Sequence, residues 1–473
     1  QKNGKGKVLA AIELPALGSV RLLPDNAPVP ATRKVLAKAG LTVDDIDLFD
    51  PATQQNWFPV YQRLREEAPV YQIPGSNTFV ISRYADVRHV LRHQDVFPSG
   101  TGVTTRDSPA QRVYLERGWD RLAPLGTNPP DHRRYRSLVD SYFDRNGSER
   151  YRAEIQRVID ELLDDMAAAP SAATTAGTGD YMAEFALPLP VRMITSILGF
   201  PDSDIDQLKA WSAAWVLPFA GGLSDEQHVW VAEQVVEFQA YIQEHLDEKR
   251  ADPADDVLSA LALARYDGER PLTDPEIISI IDHLYIGGNE TTTFALTSAM
   301  WLLLREPGLY ERVRADRSLI EPFVEEALRL ESPTQGLYRR VAHTTELAGV
   351  TLPEGATIHI RYAAANRDPD MFPNPECVDL DRTNGRRHMA FSLGEHHCPG
   401  EGLSRLEQRM ALHAVLDRLP DLRLADSNDF AHAPGFVLRA LDRLDIEWGV
   451  STNGEQVGRE RSVQTSSSAA SPR

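Results

Sequence analysis

Cysteine is almost absent: among 473 residues only Cys377 and Cys398 carry a thiol. Neither a disulfide framework nor a four-cysteine iron–sulfur cluster can be built from this chain alone. Long apolar runs are lacking too. The longest, Phe294 to Leu304, contains Thr297 and Ser298 and falls far short of the ~20 residues of a spanning helix, so no membrane anchor is expected. Positive charge is also in deficit. Fifty Lys and Arg against 69 Asp and Glu leave a net charge of −19, a field that repels phosphate backbones and anionic lipid and argues against nucleic acid as a partner. At the amino terminus Lys2, Lys5 and Lys7 precede the apolar run Val8 to Ile12, but Glu13 ends it before it reaches the length of a signal-peptide core. A cytoplasmic location is the expectation.

What is present is a 42% hydrophobic, 25% charged composition, that of a globular protein. Residues 1–42 read as an extension, 43–450 as one domain without internal repeats, and the Ser-rich 451–473 as a tail; both ends are expected to be mobile. Helical periodicity dominates the middle. Tyr84, Val87, Val90 and Leu91 fall on one helix face, and β-type runs lie at 70–73, 78–81 and 350–360. The spacing predicts its longest helix from a capping box at Thr273-Asp274-Pro275-Glu276 to Glu306, on the order of 45–50 Å. At its middle stands Gly287-Gly288-Asn289-Glu290-Thr291-Thr292-Thr293, a patch of poor helix formers that needs a reason.

The sharpest motif is Phe391-Ser392-Leu393-Gly394-Glu395-His396-His397-Cys398-Pro399-Gly400. It places a cysteine at a turn-to-helix junction, where amides and the positive helix end lower a thiol pKa and favour metal ligation. Gly394 permits a positive-φ turn, and Gly400 permits close packing beside a flat cofactor. The alternative of a zinc site from His396, His397 and Cys398 is poor, because three adjacent residues do not converge on a tetrahedral ion.

By this motif the chain resembles the cytochrome P450 haem-thiolate monooxygenases of the soluble bacterial type, over about residues 43 to 450. The resemblance implies a mainly α fold with small β-sheets and a long central helix over the haem. Cys398 becomes the axial iron ligand, with haem b (iron protoporphyrin IX) as cofactor, Phe391, Gly394 and Gly400 shaping its loop, and O2 as co-substrate. Glu326-Ala327-Leu328-Arg329 looks like the family's ExxR helix, with Arg382 as third member and a structural role. Asn128 to Arg136 resembles the segment whose histidine and arginine, here His132 and Arg136, bind haem propionates. Arg339 and His396 complete that shell, with Arg340 as a rival to Arg339. Gly287 and Gly288 would leave space for dioxygen, a threonine hydroxyl bonding back to a carbonyl would open the helix for water, and Glu290 and Thr291 would form the acid–alcohol pair that delivers protons.

The same resemblance implies a monooxygenase that inserts one oxygen atom into a small or medium hydrophobic substrate, by hydroxylation or oxidative dealkylation. Electrons would come from an external ferredoxin and reductase, and the protein is expected to act as a monomer. Arg133, Arg134, Arg386, Arg387, Arg405 and Arg409 would offer the docking cations. By family position the substrate pocket draws on Phe97 to Val103, Val216 to Phe219, Ile286, Gln335, Leu337 and Val437, with Gln335 able to orient a polar group. A non-catalytic haem-thiolate sensor is the alternative, disfavoured by the intact acid–alcohol pair. One segment departs from the pattern: Pro30 to Phe49 is similar to a stretch of thiolases, but Asp50-Pro51-Ala52 follows it where their catalytic residues would begin, so no thiolase chemistry carries over.

Overall fold

The computed structural model describes residues 43, 46–100, 108–119, 126–168 and 176–449. The extension, most of the thiolase-like segment, Val103 and the Ser-rich tail lie outside the described residues.

The fold is mainly helical with small sheets, as the patterning requires. Helix Tyr84–Arg92 buries Tyr84, Val87, Val90 and Leu91 and no other residue, the face read from their spacing. These side chains pack under a four-stranded sheet, where strand Thr78–Ile81 pairs with Val70–Gln72 on one side and runs parallel to Thr357–Ile360 on the other. Strand Leu337–Arg340 closes the sheet, antiparallel to Thr357–Ile360, with Arg339 opposite Ile358. The expected β run at 350–360 is two strands in different sheets. Pro353 and Glu354 lead into Gly355, whose φ of +79° turns the chain between Val350–Leu352 and Thr357–Ile360. A three-stranded sheet built on Ala176–Asp180 gives no sequence signal, since Ala-Gly-Thr-Gly-Asp is a poor strand former held by its pairing with Asp445–Gly449.

The long helix runs from Asp274 to Arg305, 32 residues, with Thr273 as N-cap and its amide donating to Glu276 Oε2 at 2.8 Å. Almost its whole surface is buried, because helices pack around it on several sides. Helix Pro188–Leu198 approaches at Gly288, where a Cβ would sit 2.9 Å from Ile194. Helix Ile205–Val216 approaches at Asn289 and Glu290 through Ser212. Helix Glu401–Arg418, which follows Cys398, meets it where Thr292 Oγ1 donates to Ser404 Oγ at 3.3 Å. The middle of the long helix is thereby fixed beside the cysteine loop.

Candidate functional site

The cysteine loop is closed by the Cys398 amide, which donates to the Phe391 carbonyl at 2.9 Å. Gly394 inside it has φ +77°, and a Cβ there would lie 2.6 Å from the Leu91 carbonyl oxygen, so only glycine fits on both counts. Gly400 has an ordinary φ of −81°; its amide bonds to the sulfur, and a built Cβ there would meet only Cys398 Sγ, at 3.9 Å. The expected drop in the Cys398 pKa is corrected. Burial pushes the thiol up to about 11, and the Gly400 amide and Arg136 only partly oppose it. In the protein alone this sulfur is a thiol, and a bound cation must supply the charge that makes it a thiolate.

Beside the loop, the His132 and His396 rings lie 3.9 Å apart. His132 sits on helix Asp131–Ser137, and Arg136, one turn on, donates to the His397 carbonyl at 2.8 Å and to Asp140 at 2.7 Å. Arg339 is 3% exposed and Arg340 lies at the surface, so of the two rivals Arg339 is the buried one, beside His132 and His396. His132 Nδ1, His396 Nε2 and Arg339 Nε are all buried without a hydrogen-bond partner. Burial first, then Arg136 and Arg339 among the neighbouring charges, holds His132 down to about 4; burial, His132, Arg339 and Arg136 hold His396 down to about 2. Buried polar nitrogens left unpaired cost free energy unless a partner arrives, and a carboxylate is a partner for the arginine and for a histidine ring once protonated. This donor set fits a ligand bearing carboxylates next to the thiol, as a haem requires.

Glu326 takes two hydrogen bonds from Arg329, at 2.7 and 2.8 Å, and lies 3.0 Å from Arg382 Nε. Arg329 also donates to the carbonyls of Asn366, Pro375 and Cys377, so this triad ties the chain ahead of the cysteine loop. Cys377 itself is exposed. A second buried network escaped the sequence reading: Glu325, next door, takes two bonds from Arg405 and one from His388 Nε2. Arg405 also pairs with Glu401 and lies over the Phe391 ring, 4.5 Å from its centroid. It therefore braces the loop from inside and is not an exposed docking cation.

In the long helix between Ile277 and Leu303, only His283, Gly287, Gly288, Thr291 and Phe294 are not buried. Four of them, at i, i+4, i+8 and i+11, form one stripe. A Cβ at Gly287 would meet nothing within 4 Å, so this glycine does leave open space. Gly288 does not; its role is the tight approach to Ile194. Thr291 Oγ1 donates to the Gly287 carbonyl at 2.9 Å, as expected, yet the helix stays continuous. Glu290 points the other way, 4% exposed, and pairs with Lys209 while accepting from Ser212 Oγ at 2.9 Å. Lys209 and Ser212 carry no local motif and were not foreseen.

The pocket residues fare unevenly. Leu337 is half-buried, as are Val216 and Phe219. Ile286, Phe97 and Val437, at 4%, 1% and 1% exposed, are packed into the core. Gln335 is fully enclosed: its carbonyl oxygen accepts from Tyr61 OH and its amide donates to Ser332 O at 2.6 Å. Both ends being used, it is not the polar anchor for a substrate. Among the described residues no cluster of His, Cys, Asp or Glu is arranged to hold a metal ion, and none of their helices is long and apolar enough to cross a membrane.

Comparison with known proteins agrees with this geometry. The family model described as Cytochrome P450 matches residues 191–439. Cytochrome P450 107B1 of Saccharopolyspora erythraea is 34% identical over 418 residues, 86% of this chain and 98% of that protein. Cytochrome P450 monooxygenase PikC of Streptomyces venezuelae is 32% identical, over 85% and 92%. Mycinamicin IV hydroxylase/epoxidase of Micromonospora griseorubida is 33% identical, over 82% and 94%. Among solved structures, P450BioI in complex with an acyl carrier protein ligated to hexadec-9Z-enoic acid superposes with a TM-score of 0.77 at 30% identity, covering 84% of this chain and 99% of that one. A cysteine loop braced by two buried acid–arginine networks, a carboxylate-seeking donor shell and relatives matched along nearly their whole length lead to one conclusion: the chain belongs to the cytochrome P450 family, oxidoreductases that use haem-thiolate iron and dioxygen.

Proposed function

We propose that the protein inserts one oxygen atom from O2 into a small or medium hydrophobic organic molecule, by hydroxylation or oxidative dealkylation. Haem b would be held by Cys398 through its iron and by His132, Arg136, Arg339 and His396 through its propionates. When bound, the haem supplies the activation of dioxygen with two external electrons. The observation that carries this reading is the trio of buried, unpartnered nitrogens at His132, His396 and Arg339 beside a buried thiol.

The protein's own residues supply orientation, dryness and protons. Gly287 keeps the stripe open, and the Thr291 hydroxyl, one turn further on, donates its proton to the Gly287 carbonyl and leaves its oxygen as an acceptor for a hydrogen bond. Glu290 holds the reserve. Its carboxylate, bonded to Lys209 and Ser212, links the stripe's helix to a lysine with 13% of its side chain exposed, so protons would pass from solvent through that pair to Glu290. A non-catalytic sensor needs no such pair.

Electrons would come from a ferredoxin and its reductase, with the protein acting as a monomer in the cytoplasm. Of the six arginines considered for docking, Arg133 pairs with Glu395, Arg134 with Asp131 and Asp267, and Arg386 with Glu321. Arg387 stays exposed, and Arg409 lies with His413 along an open groove of about 440 Å³ that Glu321 also lines and in which Arg152 is paired with Glu149 and Arg317 with Asp417. This groove supports an acidic partner despite the net negative charge.

The test is turnover under isotopically labelled dioxygen, with NADH, ferredoxin and reductase, across a panel of hydrophobic compounds that shift the haem spin state. One labelled oxygen in the product is the expected result. Compounds that bind but are never oxidised would favour a sensor.

A further inference from the structure

The stripe on the long helix ends toward its N-terminal side in a histidine. His283 stands four residues before Gly287, about 6 Å along the axis, and is half-buried amid neighbours that are fully buried. Resting on the haem-thiolate reading above, we infer that His283 is a specificity-determining residue that binds a hydroxyl group on the substrate, one helical turn from the position where oxygen is inserted.

The ring is held in place before any ligand arrives. Its Nδ1 lies 2.6 Å from the Ser279 carbonyl oxygen and 2.7 Å from Asp282 Oδ1. The Ser279 carbonyl can only accept, which assigns the proton to Nδ1, while Asp282 Oδ1 is close without making a hydrogen bond. On another side the Trp215 ring, from helix Ile205–Val216, meets the imidazole nearly edge-on, with centroids 5.6 Å apart at 80°. Trp215 in turn packs against Phe219, in the segment already assigned to the pocket wall. Nε2 is the ring nitrogen left for a ligand.

The chemistry of that nitrogen selects the ligand class. In the neutral ring Nε2 accepts a hydrogen bond; in the imidazolium it donates one. An alcohol satisfies either state, whereas a carbonyl or an ammonium satisfies only one. The rest of the stripe offers Gly287, Thr291 and Phe294, so an apolar body with one hydroxyl about a turn from the reacting carbon fits it. Gln335, the polar candidate expected from family position, is occupied at both ends, which leaves this role to His283.

The test uses the holoenzyme and its His283→Phe, His283→Leu and His283→Gln variants. Dissociation constants are measured by spin-state shift and independently by equilibrium dialysis, for cyclododecanol with cyclododecane and for borneol with bornane. The quantity read is the affinity ratio of each alcohol to its hydrocarbon. It should fall by roughly fivefold or more for at least one pair in His283→Phe or His283→Leu, about the loss of one hydrogen bond, and recover in His283→Gln. A smaller fall for both pairs, or no recovery in His283→Gln, overturns the proposal. If one apolar variant does not fold, the other carries the same comparison. The thiolate-type carbon monoxide band is recorded throughout: its absence from the parent protein would be a failure of the haem reading, whereas its presence with an unchanged ratio is a failure of His283 alone.

Discussion

The rings of His132 and His396 lie 3.9 Å apart, and each keeps one buried nitrogen without a partner. Two imidazoles beside Arg136, which is paired with Asp140, and Arg339, which has no ion-pair partner among the described residues, are arranged for an anion that comes from outside the chain. Replacing His132 by Phe should therefore weaken haem binding by roughly tenfold to a hundredfold, the value of one charge-assisted hydrogen bond. Haem transfer to an acceptor globin measures it.

The same pair predicts a pH dependence. Burial and Arg136 hold His132 down to about 4, below its ordinary 6.5. A depressed folded-state value means that the unfolded chain takes up the proton first, so the neutral ring's contribution is present above pH 6.5 and is lost as pH falls toward 4. Propionates raise the ring's pKa and blunt this loss. Denaturant titrations at pH 7 and pH 5 should show a larger drop in stability for the haem-free protein than for the loaded one.

Glu325 gives the second pH test. Burial alone would raise its pKa, but the hydrogen bonds from His388 and Arg405 prevail and hold it at about 2. Relative to 4.5 this contributes about 3 kcal/mol, present above pH 4.5 and lost as pH falls toward 2. Glu325→Gln should remove that pH dependence and lower stability at pH 7, since it leaves Arg405 a buried cation with half its partners. Stability profiles of the two proteins between pH 7 and pH 3 are the measurement.

Much of the framework was legible from local spacing. The capping box at Thr273, the face of Tyr84, Val87, Val90 and Leu91, the Glu326–Arg329 pair and the Gly394 turn are each set within a few residues. Direction in space was not. Glu290 looks like Thr291's partner in sequence, yet its partners Lys209 and Ser212 come from another helix some eighty positions away. Arg405 reads as a surface cation until Glu325 is found beneath it. Gln335 reads as a pocket amide until Tyr61 and Ser332 are found at its two ends. Long-range pairing decides such cases, and one sequence does not encode it as a pattern.

The acid–alcohol relay predicts two different failures. Thr291→Ala should leave substrate binding and iron reduction nearly unchanged but divert electrons to hydrogen peroxide, cutting product formed per NADH by about tenfold. Glu290→Gln should slow turnover while keeping the shape of the site, and Lys209→Met should slow it too, because Glu290 is then buried without its cation. Coupling efficiency and the solvent isotope effect on turnover separate the two. Full coupling in Thr291→Ala together with an unchanged rate in Glu290→Gln would reduce this segment to a structural helix.

The identity of the iron ligand is the central claim, and the carbon monoxide difference spectrum of the reduced protein tests it most directly. The parent protein and Cys377→Ala should both show the thiolate-type band, since Cys377 is exposed and is bonded through its backbone, the amide to Asn374 and the carbonyl from Arg329. Cys398→Ala should lose the band while still folding. A band that survives in Cys398→Ala, or disappears in Cys377→Ala, would contradict the account.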